Sequence, residues 1–192
     1  DGSNIEGESF KVIICEECFV RGTPILTEKG YVNIEDVKVG DKVYSFNHGT
    51  NKVELKTVQR SFSQPLYGRK IVTIKTESGR EITCTDNHKI FISEIGYVRA
   101  DSLQINDGDS LQTEKDPYML KGMSKDSQHG VYEELLQEEK IVSIEIKEVA
   151  EIEVFDLTVE DNHNFFANGL LVHNCQDISN FKIQKAIHPM GA

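Results

Sequence analysis

No run of about 18 apolar residues, the length that crosses a bilayer, occurs in this chain. It also lacks the basic and apolar leader of exported proteins, so neither a membrane span nor a secretory signal is expected. Positive charge is scarce: 21 Lys and Arg stand against 32 Asp and Glu, for a formal net charge of −11, with no Lys/Arg cluster. Nucleic-acid binding generally needs a basic footprint, so no such partner is expected. Four cysteines in 192 residues are too few for a disulfide framework, and a reducing cytoplasm is the natural setting. What is present is 38% hydrophobic residues, enough to bury one core in a chain whose length suits a single domain.

The residues that carry chemistry sit near the two ends. Toward the C-terminus, Val172-His173-Asn174-Cys175 follows an Asn168-Gly169 turn and the apolar Leu170-Leu171-Val172. An Asn side-chain amide can attack its own backbone carbonyl, closing a succinimide and breaking the bond to the next residue. A nearby imidazole speeds such a step by proton transfer, typically ~10²–10⁴-fold; His173 adjoins Asn174, and His163 can fold back beside it. Cys175 and Cys18 each offer a thiol that can hold an acyl chain as a thioester. Two thiols and one cyclising amide are the groups with which a polypeptide can excise a piece of itself.

In order and spacing, the motifs resemble an intein, a protein-splicing element of the Hint superfamily. The blocks are Cys18-Phe19-Val20-Arg21-Gly22-Thr23-Pro24, then Ile34-Glu35-Asp36-Val37-Lys38-Val39-Gly40-Asp41, then Thr85-Asp86-Asn87-His88. Val154-Phe155-Asp156-Leu157-Thr158-Val159, Asn162-His163-Asn164-Phe165 and His173-Asn174-Cys175 complete the set. The resemblance places the element at residues 18–174, between host flanks 1–17 and 175–192. A homing endonuclease with acidic LAGLIDADG-type helices is absent, so no DNA cleavage is expected. The polar stretch from about residue 113 to 140 stands where the endonuclease sits in larger relatives and reads as a flexible remnant loop.

An all-β chain is predicted from short β-patterned runs bounded by turn residues. Residues 71–76 and 80–85 flank Glu77-Ser78-Gly79 as a hairpin, and residues 165–167 and 170–172 flank Asn168-Gly169, a strong type I′ signal. Long Val/Ile-rich strands are expected over 141–159, with helical pattern confined to a turn near 34–37 and a surface stretch near 133–137. An internal repeat supports the architecture. Gly30-Tyr31-Val32-Asn33 leads to Gly40-Asp41-Lys42-Val43, and Gly96-Tyr97-Val98-Arg99 leads, after two extra residues, to Gly108-Asp109-Ser110-Leu111. The resemblance implies a pseudo-two-fold β horseshoe of the Hint fold with both junctions at a central cleft, where proximity raises effective concentration.

It also implies roles. Cys18 attacks the Glu17 carbonyl, His88 contacts the junction amide, and Thr85 helps hold the oxyanion. Cys175 takes over the acyl chain, Asp156 relays protons between the junctions, and Asn174 cyclises with help from His173 and His163. The reaction is a single turnover on the chain's own flanks, by a monomer and without cofactor. A Hint domain that cleaves without ligating shares Cys18 but not the need for Asn174 followed by Cys175.

Cys15-Glu16-Glu17-Cys18 is also a C-x-x-C pair. A zinc site would want further soft ligands, from Cys84, Cys175, His88 or His173, and no metal is assigned; a Cys15–Cys18 disulfide would instead block the first nucleophile until reduced. Cys84 is expected in the core, and His48, His129 and His188 at the surface. The upstream flank Lys11-Val12-Ile13-Ile14-Cys15-Glu16-Glu17 resembles a Walker B strand of a P-loop NTPase such as a phage terminase large subunit. No Walker A loop accompanies it, so the chain itself is not expected to bind ATP.

Overall fold

The computed structural model describes residues 16–105, 119–123 and 136–175. Among the described residues the regular elements are strands and two 3₁₀ turns, with no α-helix. In chain order the strands are β1 (Phe19–Val20), β2 (Pro24–Thr27), β3 (Gly30–Asn33), β4 (Lys42–Asn47), β5 (Lys52–Thr76) and β6 (Glu81–Thr85). They continue with β7 (Lys89–Ile92), β8 (Gly96–Arg99), β9 (Met119–Met123), β10 (Leu136–Val159), β11 (Asn164–Ala167) and β12 (Leu170–His173). The all-β expectation holds.

Two long strands organise the rest. β5 and β10, of 25 and 24 residues, run antiparallel from Thr76 opposite Ile141 to Val58 opposite Val159. The register slips between Ile141 and Ser143 and between Thr158 and Val159, irregularities that bend and twist a ribbon of this length. The sequence foresees the 141–159 strand, but β5 is longer than its local turn residues, Pro65 and Gly68, suggest. Pairing with β10 over residues 58–76, and with β4 over 52–57, supplies the ladder bonds that such residues alone would interrupt.

The expected hairpins form. β5 and β6 pair with Ile71 opposite Thr85 and Ile74 opposite Ile82. β11 and β12 close through Asn168 and Gly169, at φ +46° and +78°, the left-handed pair that a type I′ turn requires. A Cβ on Gly169 would lie 2.2 Å from Arg80 Nη1, so a larger residue there would have to displace the guanidinium, which donates to Gly169 O at 2.9 Å. The stretch expected as a loop from about 113 to 140 is different where it can be described. Residues 119–123 are β9, which pairs with the start of β10 from Leu136 opposite Met123 to Lys140 opposite Met119, while 113–118 and 124–135 lie outside the described residues. Leu136 and Gln137, at the end of the expected surface helix, are strand as well: cross-strand partners outweigh the local acidic pattern.

The repeat is visible as two hairpin-plus-turn units. β2–β3 is followed by a 3₁₀ turn at Ile34–Asp36, and β7–β8 by one at Ala100–Ser102. The C-terminal hairpin bridges them: β11 pairs with β2 through Ala167 and Ile25, and β12 with β7 through Val172 and Ile90. Alternation sends Ile25, Ile90, Val172 and Phe165 into one core with Phe19, Ile74 and Leu157; burial of such side chains contributes ~1.5–3 kcal/mol each. β1 meanwhile lies between β10 and β6, with Phe19 opposite both Phe155 and Cys84. Packing thus brings residues 16–18 and 173–175 to the same place.

Candidate active site

Cys18 is completely buried just ahead of β1, and Cys175 just after β12 is 5% exposed. The two thiol residues share one small cluster with Leu66 and Val154. Asp156, in β10, is also completely buried. Burial, the largest effect, pushes its carboxyl well above the usual range, and Cys18 and Cys175 add to the rise; the Leu157 N–H at 2.7 Å opposes it. A carboxyl that resists ionisation beside two thiols can carry a proton between them. Gln64 Nε2 approaches the Cys18 sulfur at 3.9 Å, a contact with no signal in the sequence.

The upstream peptide is held by the end of β6. The Cys18 N–H donates to Thr85 Oγ1 at 3.0 Å, Thr85 Oγ1 donates to Glu16 O at 3.2 Å, and the Thr85 N–H donates to Cys18 O at 2.9 Å. One threonine therefore grips the chain on both sides of the junction. Its hydroxyl contact is to the Glu16 carbonyl, one residue before the carbonyl that the resemblance assigns to it.

His88, completely buried, packs its ring 4.1 Å from that of Phe19. Its Nε2 lies 2.9 Å from His173 O; a carbonyl only accepts, so Nε2 carries the proton. Burial pushes the imidazole down to about 3, against smaller opposing effects of the His173 and Cys18 backbone. The ring is consequently neutral, and its bare Nδ1 is buried without a hydrogen bond. A lone pair so placed beside the Cys18 segment is available to take or pass on the junction proton.

At the C-terminal end His173 Nδ1 donates to the carbonyl of Asn174 at 2.6 Å, the carbonyl that a cyclising Asn174 side chain would attack. Burial lowers the His173 pKa, and Lys89, His163 and His48 lower it further, while the Asn174 backbone bond raises it. Asn174 is completely buried. Hydrogen-bond complementarity assigns its amide so that Oδ1 accepts from the Val159 N–H at 2.7 Å and Nδ2 donates to His163 O at 3.1 Å. The Asn174 N–H donates to the same His163 O at 2.9 Å. His163 therefore meets Asn174 through its backbone, at φ +54°, whereas its exposed ring makes no hydrogen bond among the described residues.

Asn164, which a polar Asn162-His163-Asn164 string makes look like a loop residue, is buried at the start of β11. Its Oδ1 accepts from Ser45 Oγ and the Phe46 N–H, and its Nδ2 donates to Phe46 O and to Tyr97 Oη. Tyr97 stands edge-on to His173, with ring centroids 5.1 Å apart. Cys84 is completely buried in the core and burial pushes its thiol up, as its expected passive role requires. His48 is exposed but packs among Phe46, Phe91 and Tyr97; Cys15, His129 and His188 lie outside the described residues. Among those residues no three His, Cys, Asp or Glu side chains converge as a metal site, and no helix is long and apolar enough to cross a membrane.

The family model of the intein splicing domain matches residues 24–174. This chain belongs to the intein splicing domain family. The intein is 29% identical over 156 residues to an uncharacterized protein of Methanocaldococcus jannaschii, covering 76% of this chain and 18% of that protein. It is 28% identical over 182 residues to an A-type ATP synthase component of Thermoplasma acidophilum, covering 82% of this chain and 23% of that protein. The chain thus spans less than a quarter of either relative.

Among solved structures, a DnaB intein from Synechocystis sp. PCC 6803 superposes with TM-score 0.65 and 26% identity over 84% of this chain and 100% of that one. The DnaX mini intein from Spirulina platensis matches at TM-score 0.62 and 29% identity, over 82% and 99%. A bacterial intein-like domain from Clostridium thermocellum matches at 0.63 and 26%, over 82% and 98%. The all-β architecture is that of the Hint fold, and the intein's activity is autocatalytic protein splicing.

Proposed function

We propose that residues 18–174 splice themselves out and join Glu17 to Cys175. The Cys18 thiol attacks the Glu17 carbonyl; the C–N bond breaks, a C–S bond forms, and the freed amine takes up a proton. Thr85 holds the Cys18 N–H and Glu16 O, and the neutral His88 offers Nδ1 for the proton transfer. Cys175 then attacks the thioester, returning the Cys18 thiol, with Asp156 positioned to exchange protons with both sulfurs. Asn174 Nδ2 attacks its own carbonyl carbon, releasing the Cys175 amine and leaving a succinimide. The His173 Nδ1–H, 2.6 Å from that carbonyl oxygen, stabilises the charge that develops there. A spontaneous S-to-N shift completes an ordinary peptide bond.

The observation that carries this reading is the convergence of Cys18 and Cys175 in one buried cluster, with the buried Asp156 close enough for both sulfurs to raise its pKa and Asn174 next in the chain to Cys175. Cleavage without ligation would not need Cys175 to be there. The reading includes no nuclease activity, no nucleic-acid or membrane partner, and a monomer acting on its own flanks in the cytoplasm. The host is proposed to be a P-loop NTPase of terminase type, disabled until splicing restores the strand before Glu17. A Cys15–Cys18 disulfide would hold the first nucleophile inactive, which a diamide-oxidised sample splicing as fast as a reduced one would disprove. The main test is intact mass of this chain with longer flanks: ligated flanks plus free element from the native sequence, and none from Cys18→Ala or Asn174→Ala.

A further inference from the structure

Lys89 and Arg99 stand directly opposite each other in the β7–β8 ladder. Two like charges in such a pair destabilise a sheet, and the equivalent pair in the other unit is the neutral Pro24 and Asn33. Arg99 is paired with Asp101 at 2.8 Å. Lys89 instead reaches out of the element to the flank: its Nζ is 3.7 Å from Glu17 Oε1. The other oxygen, Oε2, is 3.9 Å from His173 Nδ1, the same nitrogen that donates to the Asn174 carbonyl. The Glu17 side chain is only 20% exposed. Burial raises its pKa while Lys89 and then Arg99 pull it back down.

We infer that the intein reads the last residue of its upstream flank: Lys89, backed by Arg99, selects an acidic side chain there, and that carboxylate helps position His173 at the downstream junction. The inference rests on the proposed assignment of Glu17-Cys18 as the upstream junction. A carboxylate in this place neutralises an otherwise unfavourable cation pair. It also favours a proton on His173 Nδ1, where the bond to the Asn174 carbonyl needs one. Because Glu17 travels with the acyl chain when it moves from Cys18 to Cys175, its contact with His173 links the state of the first junction to scission at the second. Lys89 and Glu17 are positioning groups, since neither side chain touches the atoms that react.

The test is a charge matrix in the full chain with longer flanks, following ligated product by intact mass. Glu17→Gln is expected to slow splicing about two- to fivefold, the scale of a partly exposed charge pair. Glu17→Lys and Lys89→Glu are each expected to slow it about tenfold or more, and the double variant Glu17→Lys/Lys89→Glu to recover most of the loss, as coupled neighbours do. Equal rates for all four, or a double variant slowed by the product of the single effects, would overturn the inference. Failure of the native chain to ligate would instead count against the junction assignment. The pairing is then decided separately by an NMR titration of the Glu17 carboxyl in a Cys18→Ala/Asn174→Ala precursor. Lys89→Gln must raise the Glu17 pKa there, and an unchanged value would sink the inference.

Discussion

The unit at residues 20–36 and the unit at residues 85–102 are two castings of one backbone. In each, a turn closes on the third residue back: the Thr23 N–H donates to Val20 O, and the His88 N–H to Thr85 O. In each, the carbonyl of the residue that closes the turn caps the 3₁₀ turn, Thr23 O accepting from Ile34 and His88 O from Ala100, both at 2.8 Å. The residues preceding the 3₁₀ turns, Asn33 and Arg99, have φ/ψ of −61°/141° and −60°/139°. Side chains separate the two. Where the first unit has Val20 and Thr23, the second has Thr85 and His88. The reason lies in the C-terminal hairpin: β11 rests on the first unit, whereas β12, which runs into His173 and Asn174, rests on the second. The pair proposed for the chemistry, Thr85 and His88, stands in the unit against which β12 leads to His173 and Asn174.

The sharpest way to break the difference is to give the second unit the first unit's residue. His88→Thr keeps the turn but removes the ring between the junctions. Thiol-induced cleavage at Glu17-Cys18 is expected to fall ~10²–10⁴-fold, the usual contribution of a positioned acid or base, as read from intact mass over time. A loss below tenfold would mean that Thr85 and backbone geometry do most of the work. Thr85→Val, which copies Val20, is next. It strands the buried Cys18 N–H and takes a donor from Glu16 O, and unfolding in urea should show a loss of about 1–3 kcal/mol, most of it from the N–H.

Symmetry itself can be tested through Gly30 and Gly96, which open β3 and β8 at φ +99° and +104°, with no atom within 4 Å of where a Cβ would stand. With no clash at either, backbone strain alone sets the cost, so Gly30→Ala and Gly96→Ala should each destabilise by about 1–2 kcal/mol and by similar amounts. Clearly unequal values in urea titrations would show that the repeat is one of appearance only.

The repeat and the two hairpins are legible in the sequence because each rests on local signals, paired glycines and Asn168-Gly169, and the proposed site residues are named there by short motifs, Thr85-x-x-His88 and Asn174-Cys175. What escapes a sequence reading is set by distant partners. The 25-residue β5 and the β9–β10 pairing depend on ladders across the sheet, not on local propensity. Asn164 resembles a loop residue because its four hydrogen bonds go to Ser45, Phe46 and Tyr97, far away in sequence. That His163 meets Asn174 through its carbonyl follows from a left-handed backbone at a non-glycine residue, which no residue type announces.

The two units also differ in how stability depends on pH. His88 is held near pKa 3 in the folded chain, against about 6.5 when unfolded. Between those values the unfolded state binds more protons, so its contribution to stability is full above pH 6.5 and is lost as pH falls toward 3. Thr23, at the equivalent place, contributes no such slope. Asp156 has the opposite sign, since its raised pKa makes the folded state the better proton binder as pH falls. The raw pH profile therefore mixes the two, and the difference between native and His88→Gln chains isolates the histidine. Measured on the Cys18→Ala/Asn174→Ala background, the chain that keeps His88 should lose stability relative to His88→Gln by up to about 1.4 kcal/mol per pH unit below 6.5. Parallel profiles would mean that His88 takes up its proton as readily in the folded chain as in the unfolded one, so that burial does not hold the ring neutral below pH 6.5.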